Sequence, residues 1–177
     1  MTTLLLVRHG ETDWNRELRI QGSSDTDLNE TGRAQARELA QELAEERLDA
    51  VYSSDLRRAR ETAELVTAGR GLDVRLDSAL RERSFGSWEG LTREQIVERF
   101  GEHARHDGES DEQVRERMLE AVRRIAAEHP HEEVLVVSHG GSLNALWHHA
   151  FGERIERWGN CAAYRLAVRE GEFLAVD

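Results

Sequence analysis

The sequence predicts an α/β protein with a mostly parallel central sheet and helices on both faces, that is, a three-layer α/β/α sandwich. Two short apolar runs, at 3–7 and 133–138, have the length and composition of buried strands. Such runs alternate with segments whose apolar residues recur at helical spacing. This alternation is typical of parallel sheets covered on both sides. Because the chain has no linker, repeat or low-complexity stretch, residues 1–177 are predicted to form one domain.

The first half of the chain is predicted to alternate strands and helices after a polar stretch. The strand at 3–7 leads into polar residues 10–28, and Asn29 has a side chain suited to N-cap a helix over about 30–46. The elements that follow are a strand at 49–53, a helix at 56–68 that Gly69 ends, and a strand at 74–76.

The second half is predicted to continue the alternation. A short helix is expected at 92–100, and Ser110 with Gln113 matches a capping box that opens a longer helix, with Pro130 past its end. The remaining elements are a strand at 133–138, a helix at about 141–151, and strands near 162–168 and 172–176. The last two strands could form a hairpin, which would make one sheet edge antiparallel.

The composition excludes several classes of function. The formal net charge of −11 argues against a nucleic-acid partner, and no apolar run is long enough to span a bilayer. We expect no signal peptide and no membrane association. The single cysteine, Cys161, excludes an internal disulfide and fits a reducing compartment, so a cytoplasmic protein is expected. All 24 Lys and Arg positions are arginine, so a positively charged side chain that binds an anion must be arginine or protonated histidine.

Two of the predicted strands each end in a histidine followed by glycine. His9 follows the first strand, and His139 follows the strand at 133–138. In open α/β sheets, ligands bind beyond the carboxyl ends of strands. Arg8 adds a planar fork of donors that suits phosphate oxygens. Either histidine alone could be a core or surface residue, but together they favour phosphoryl transfer through a nucleophilic histidine.

Two further segments place charged side chains at predicted turns. Three arginines lie near a predicted helix N-terminus, namely Arg57, Arg58 and Arg60. Positive charges are electrostatically unfavourable at that end of a helix. An anion bound to one inward-pointing arginine would compensate for this unfavourable interaction. Glu82 lies between two arginines. It could form a surface ion pair, or it could be the proton donor that a leaving group needs.

The combined motifs resemble those of the histidine phosphatase superfamily, which includes the cofactor-dependent phosphoglycerate mutases. The resemblance runs in order from about residue 4 to residue 147, and it rests on the combination rather than on any one motif. The residues that carry it are Arg8, His9, Gly10, Glu11, Thr12, Asn15, Ser53, Ser54, Arg58, Ala59, Thr62, Ala63, Glu82, Gly86, Glu89, Gly90, Ser138, His139, Gly140 and Gly141.

The resemblance implies a phosphoglycerate mutase-like fold and a role for each site residue. His9 would be the nucleophile that becomes phosphohistidine, and Glu82 would be the general acid and then the base that activates water. The groups that would bind phosphate or substrate are Arg8, Arg58, His139, Asn15, Gln21, Gly22 and the Gly140 amide. We expect no metal and no cofactor, since no segment has clear ligand spacing. The histidines at 129, 131, 148 and 149 are expected on a loop and on a helix surface.

The chain departs from the mutase pattern in the lid, predicted near 91–110. This segment is shorter than in the mutases, and Ser23 stands where they have tryptophan. Because a short lid leaves the site open to water, we expect a metal-independent phosphatase acting on a small phosphorylated compound. The alternatives are a cofactor-dependent phosphoglycerate mutase and a non-catalytic phospholigand-binding module. By resemblance, candidate substrates include sugar phosphates, phosphoserine and α-ribazole phosphate. Monomer and homodimer both stay open.

Overall fold

The computed structural model describes residues 1–156 and 158–176. The strands within them are β1 (Thr2–Arg8), β2 (Ala50–Ser53), β3 (Val74–Leu76), β4 (Glu133–Ser138), β5 (Ala163–Arg169) and β6 (Glu172–Ala175). The helices are α1 (Asp13–Arg16), α2 (Glu30–Glu42), α3 (Arg57–Val66), α4 (Arg93–Phe100), α5 (Asp111–Glu128) and α6 (Gly140–Phe151). No helix in this part of the chain has both the length and the apolar character needed to cross a membrane.

The strands form one sheet in the order β3-β2-β4-β1-β5-β6. The first four strands of that order run parallel, whereas β5 is antiparallel to β1 and β6 is antiparallel to β5. The prediction of a mostly parallel sheet is therefore confirmed, and so is the antiparallel hairpin at one edge.

Alternate residues of the central strands point into two separate hydrophobic cores. Leu4 and Leu6 of β1 pack on one face with α5 and α6, while Leu5 and Val7 pack on the other face with α2 and α3. Helices therefore cover both faces, which confirms the predicted three-layer sandwich. Burial of both faces also explains why β1 and β4 are continuous apolar runs in the sequence.

Most element ends follow the capping signals. The Asn29 side chain accepts a hydrogen bond from the N–H of Gly32 (2.9 Å) at the start of α2, and Ser110 with Gln113 forms the capping box of α5. Helix α2 ends at Glu42, four residues earlier than predicted. The short helix α1 was not predicted, because its four residues are too few to show helical periodicity. Two 3-10 turns, at Ser78–Leu80 and Gly86–Trp88, were not predicted either.

The sheet brings both histidine turns to one edge. Strands β1 and β4 are neighbours, and Arg8 lies opposite Ser138. His9 and His139 are the next residues, so they lie side by side beyond the carboxyl ends of the two strands. The N–H of His9 extends the pairing by donating to the Ser138 carbonyl (3.0 Å). Strand β2 lies on the other side of β4 and places Ser54 at the same edge. The carboxyl ends of three parallel strands thus surround one location.

Candidate active site

The His9 ring is held by its own turn. Its Nδ1 lies 2.7 Å from the carbonyl oxygen of Gly10. A carbonyl can only accept a hydrogen bond, so Nδ1 carries the proton and Nε2 carries the lone pair. The ring is buried, with 2% of the residue exposed. The turn therefore fixes His9 in the tautomer that a nucleophile attacking through Nε2 requires.

The His139 ring is held through Nε2, whereas the His9 ring is held through Nδ1. Its Nε2 lies 2.9 Å from the hydroxyl oxygen of Ser54, and its ring centroid lies 5.1 Å from that of His9. Its Nδ1 is buried and has no hydrogen-bond partner among the described residues. Such a nitrogen is suited to donate to an anion next to His9.

Both histidines have depressed pKa values. Burial is the main cause of a His9 pKa well below its ordinary value of 6.5, and the positive charges of Arg58 and Arg8 lower it further. Burial, followed by the charge of Arg58, likewise places the pKa of His139 well below 6.5. At neutral pH both rings are therefore uncharged, which leaves the lone pair on Nε2 of His9 unprotonated, as the predicted nucleophile requires.

Arg58 supplies a fully buried positive charge beneath the site. Its Nη1 donates to the Ser24 carbonyl and its Nη2 to the Gly22 carbonyl, each at 2.7 Å. Its Nε is buried without a hydrogen-bond partner in the described part of the chain. Burial lowers the pKa of Arg58 to about 10, so the group remains charged at neutral pH. Arg57 lies exposed and pairs with Asp25 instead, so the inward arginine is Arg58.

Arg8 lies beside the start of α6. Its Nη1 donates to the carbonyl of Trp158. A Cβ added to Gly140 would lie 3.4 Å from Arg8 Nε, so the glycine allows the guanidinium to pass close to the helix. This contact places Arg8 and the first residue of α6 against each other, as the predicted phosphate site would require.

Glu82 lies at the N-terminus of α6. Its Oε2 accepts from the N–H of Gly141 (3.0 Å), and its Oε1 accepts from the N–H groups of Ser142 (3.0 Å) and Arg83 (2.8 Å). The helix end expected to face a phosphate therefore holds this carboxylate. Among residues 1–156 and 158–176, Glu82 forms no ion pair, and its neighbours Arg81 and Arg83 pair with Asp55 and Asp111.

The remaining predicted residues surround a cavity of about 180 Å³ in front of His9. It is lined by Arg8, His9, Asn15, Arg19, Ile20, Gln21, Gly22, Arg58, Glu82 and Phe85. The Oδ1 of Asn15 accepts from the N–H of Thr12 (3.1 Å), and the Oε1 of Gln21 accepts from the Thr12 hydroxyl (2.8 Å). The structure thus brings the predicted site residues together at one sheet edge, while their individual roles stay predictions.

Three supporting residues were not singled out as site residues from the sequence. Ser54 contacts His139 as described, and Thr62 accepts from the Gly10 N–H (3.0 Å). Asn160 donates to the His9 carbonyl (3.0 Å) from the loop before β5. Ser54 and Thr62 belong to the recognised motifs, but Asn160 lies 151 residues away from His9 and has no local signal.

Gly10 allows the turn after β1 to pack closely against α2, because a Cβ there would lie 2.5 Å from the Gly32 carbonyl oxygen. His129 lies just after the end of α5, as expected of a loop residue; it is 7% exposed and lies against Tyr52, whose hydroxyl is 3.1 Å from His129 Nε2. His148 and His149 are exposed, as expected.

No group of three or more His, Cys, Asp or Glu side chains within residues 1–156 and 158–176 is arranged to hold a metal ion. Metal independence itself stays a prediction.

Comparison with known proteins identifies the family. The model of the histidine phosphatase superfamily, branch 1, matches residues 4–176. Over 161 residues the chain is 40% identical to the metal-independent phosphoserine phosphatase of Arabidopsis thaliana, covering 83% of this chain and 68% of that protein. It is 37% identical over 191 aligned residues to the probable phosphoglycerate mutase GpmB of Cronobacter sakazakii, covering 99% of this chain and 89% of that protein.

A solved structure agrees with these relatives. A mutant phosphoserine phosphatase from Entamoeba histolytica, in complex with phosphoserine, superimposes with a TM-score of 0.85 and 28% identity, covering 100% of this chain and 96% of that chain. The chain therefore belongs to the histidine phosphatase superfamily, which confirms the resemblance drawn from the motifs.

Proposed function

We propose that the protein is a phosphatase that hydrolyses a small phosphomonoester through a covalent phosphohistidine on Nε2 of His9. The observation that carries this proposal is the hydrogen bond from His9 Nδ1 to the Gly10 carbonyl (2.7 Å), which leaves Nε2 as the nucleophilic nitrogen. Relatives and a neighbouring structure named as phosphoserine phosphatases support both the reaction and a small phosphorylated substrate.

In the first step, Nε2 of His9 attacks phosphorus and the bond between phosphorus and the ester oxygen breaks. The departing oxygen takes a proton from the carboxyl group of Glu82, which lines the same cavity. Arg8, Arg58 and the free nitrogen of His139 stabilise the charge spread over the other phosphoryl oxygens. The products are the free alcohol and phosphorylated His9.

In the second step, water attacks the phosphohistidine. The carboxylate of Glu82 takes a proton from the water as its oxygen bonds to phosphorus, and the bond to Nε2 breaks. Inorganic phosphate leaves, His9 returns to its neutral form, and Glu82 is again protonated. Glu82 therefore alternates between acid and base, which requires that its carboxyl group stays at one place. The backbone donors at the start of α6 hold it there.

Hydrolysis is favoured over transfer of the phosphate to a second substrate. The residues that line the cavity come from 8–22, Arg58, Glu82 and Phe85, and none of these described residues belongs to the predicted lid at 91–110. A site that the lid does not line admits water to the phosphohistidine.

The mutase alternative is kept because a relative carries that name. Incubation with 3-phosphoglycerate and catalytic 2,3-bisphosphoglycerate decides between them. We expect phosphate release to exceed isomerisation, and isomerisation faster than phosphate release would support the mutase.

The non-catalytic alternative is tested by a screen of phosphomonoesters with released phosphate as the readout. We expect turnover of at least one ester, and binding of phosphorylated compounds without turnover at any pH would support the binding module. Because Cys161 is the single cysteine of the chain, no internal disulfide can form, which supports the proposal of a reducing compartment such as the cytoplasm.

A further inference from the structure

The segment that carries Glu82 lies between two 3-10 turns and has no regular structure of its own. The first turn ends at Leu80 and the second begins at Gly86, so residues 81–85 belong to no helix or strand. Backbone groups outside regular structure need other hydrogen-bond partners where they leave water. The position of the Glu82 carboxyl therefore depends on the side chains that hold this segment.

The backbone before Glu82 is held by Arg117 on α5. The Nη1 of Arg117 donates to the carbonyl oxygens of Ala79 (2.9 Å) and Arg81 (2.7 Å). Its Nε and Nη2 donate to the two carboxylate oxygens of Glu109, at 2.8 and 2.9 Å. A two-point contact of this kind between a guanidinium and a carboxylate fixes both groups in one plane. Arg117 thus holds two carbonyls of the segment while its own orientation is set by Glu109.

The backbone after Glu82 is held by Glu109. Its Oε2 accepts from the N–H of Ser84 (3.0 Å), and its own N–H donates to the Ser84 carbonyl (2.9 Å). A Cβ on Gly108 would clash with that carbonyl, so the glycine allows the two loops to approach this closely. The hydrogen bond from Arg117 is the main cause of a Glu109 pKa below its ordinary value, so Glu109 is a carboxylate at neutral pH.

The Glu109–Arg117 pair therefore fixes the chain on both sides of the residue to which we assign proton transfer. Neither member is among the described residues that line the cavity in front of His9. The pair acts on the backbone of the segment, whereas the Glu82 carboxylate itself is held by N–H groups at the start of α6. Both holds are needed for one fixed position, because a side chain cannot stay in place if its backbone moves.

We propose that Glu109 and Arg117 are positioning residues that keep the Glu82 carboxyl within reach of the departing oxygen. The proposal rests on the proposed function, since it concerns the acid of that reaction. A strongly basic alkoxide leaves slowly unless it receives a proton, whereas dinitrophenolate leaves readily without one. Displacement of Glu82 should therefore slow the hydrolysis of alkyl esters and spare that of a dinitrophenyl ester.

The kinetic test compares 2-phenylethyl phosphate with 2,4-dinitrophenyl phosphate. The readout is kcat/KM, which reports the transfer of the phosphoryl group to the enzyme. The proteins are the unmodified chain, Glu82→Gln, Arg117→Met, Glu109→Gln and the control Arg123→Met. The control removes an arginine of the same helix, whose Nε donates to the Gly171 carbonyl (3.3 Å).

In Arg117→Met we expect kcat/KM to fall by about 30-fold for the alkyl ester and by at most about twofold for the dinitrophenyl ester. Glu82→Gln should show the same selectivity with a larger loss, since it removes the acid rather than displacing it. Glu109→Gln keeps one oxygen for Arg117 and should show a smaller selective loss, whereas Arg123→Met should show none. An equal loss for both esters in Arg117→Met and Glu109→Gln would overturn the proposal, because a general loss of folded protein lowers both rates alike.

Amide hydrogen exchange tests the position of Glu82 without a substrate. The N–H groups of Gly141 and Ser142 lie in the first turn of α6, where no carbonyl of the helix can accept from them, so their protection depends on the Glu82 carboxylate. The N–H of Leu143 instead donates to a backbone carbonyl at the start of the helix (2.9 Å). In Arg117→Met we expect exchange to accelerate by about tenfold at Gly141 and Ser142 and to stay unchanged at Leu143.

The exchange rates separate this proposal from the catalytic one. An equal loss for both esters in Glu82→Gln would remove the assignment of Glu82 as the acid, and the exchange rates would still decide whether the pair positions it. Glu109→Gln is measured in the same way, so the test does not depend on one variant. Unchanged exchange at Gly141 and Ser142, or an equal acceleration at Leu143, would contradict the positioning role.

Discussion

The two histidine turns share a sequence pattern and a sheet edge, but each ring is held by a different nitrogen. The carbonyl of Gly10 accepts from His9 Nδ1, which leaves Nε2 to the cavity. The hydroxyl of Ser54 contacts His139 Nε2, which leaves Nδ1. The contact of the first ring suits the nucleophile that we propose. If the Ser54 hydroxyl donates to Nε2, the contact of the second ring suits the hydrogen-bond donor that we propose.

The difference teaches that two turns with the same sequence pattern can hold their rings through partners at very different distances along the chain. The partner of His9 is the next residue, so its tautomer is fixed by local backbone geometry. The partner of His139 comes from the end of β2, 85 residues earlier in the chain. Both rings share the depressed pKa that burial causes, so charge does not distinguish them at neutral pH.

The largest expected effect comes from removing the nucleophile. The change His9→Ala should lower the rate of phosphate release by at least about 10³-fold, because no other group in the cavity can replace Nε2. Phosphate release under saturating substrate measures this, and His149→Ala, at an exposed position on α6, is the control. Retention of most of the activity would remove the assignment of His9.

The next prediction tests which nitrogen of His139 donates a hydrogen bond to the phosphoryl group. An asparagine amide places its N–H₂ near the position of Nδ1, whereas a glutamine amide places it near Nε2. We expect His139→Gln to lower kcat/KM by about 10²-fold, as for loss of a donor to a transition-state oxyanion, and His139→Asn to lower it by clearly less. The reverse order would show that Nε2 is the donor and would contradict the comparison.

A smaller effect is expected from the residue that holds His139. The change Ser54→Ala removes the hydroxyl that we expect to favour the Nδ1–H tautomer, and it should lower kcat/KM by about three- to tenfold. The ¹⁵N chemical shifts of His139 should show Nδ1–H in the unmodified protein and a mixture in the variant. The control is Ser53→Ala, which removes a buried hydroxyl that donates to the Ser54 carbonyl (2.8 Å). Unchanged ¹⁵N shifts in Ser54→Ala would exclude this positioning role.

The two buried histidines should also make stability depend on pH. Their pKa values are lower in the folded protein than the ordinary 6.5 expected in the unfolded chain, so below pH 6.5 the unfolded chain binds more protons. The free energy of unfolding is then highest above pH 6.5. It falls with decreasing pH, by up to about 1.4 kcal/mol per pH unit for each histidine.

Urea unfolding between pH 7.5 and 5 measures this dependence. The slope should be smaller in His139→Asn than in the unmodified protein, and it should be unchanged in His148→Asn. Equal slopes in all three proteins would show that His139 is not buried in its neutral form.

Removal of metal ions is expected to have no effect on activity. If Nε2 of His9 and Nδ1 of His139 face phosphate rather than a metal, dialysis against EDTA should leave phosphate release within about 20% of its starting value. Assays before and after dialysis, with and without added Mg²⁺, Mn²⁺ and Zn²⁺, check this. Loss of activity that one divalent ion restores would contradict the metal-independent mechanism.

The fold was predictable because its elements carry strong local signals. β1 and β4 are continuous apolar runs, and Asn29 and Ser110 mark helix starts by side-chain capping. Helix α1 has no such periodicity. Its capping box of Thr12 and Asn15 is visible only once the turn after β1 is built.

The site was predictable only in part, because some of its contacts join residues that are far apart in the sequence. The motif residues were found because the family resemblance groups them. The support that Asn160 gives to His9, and the attachment of Glu82 to α6, depend on loops that meet only after the sheet has formed.

The most direct test of the central claim is to trap the phosphoenzyme and locate its phosphate. The protein is mixed rapidly with excess substrate, quenched in alkali, in which phosphohistidine is stable, and digested for mass spectrometry and NMR. We expect one phosphate per chain on Nε2 of His9. Phosphate on Nδ1 of His9, on His139 or on any other residue, or active protein that forms no phosphoenzyme, would contradict the account.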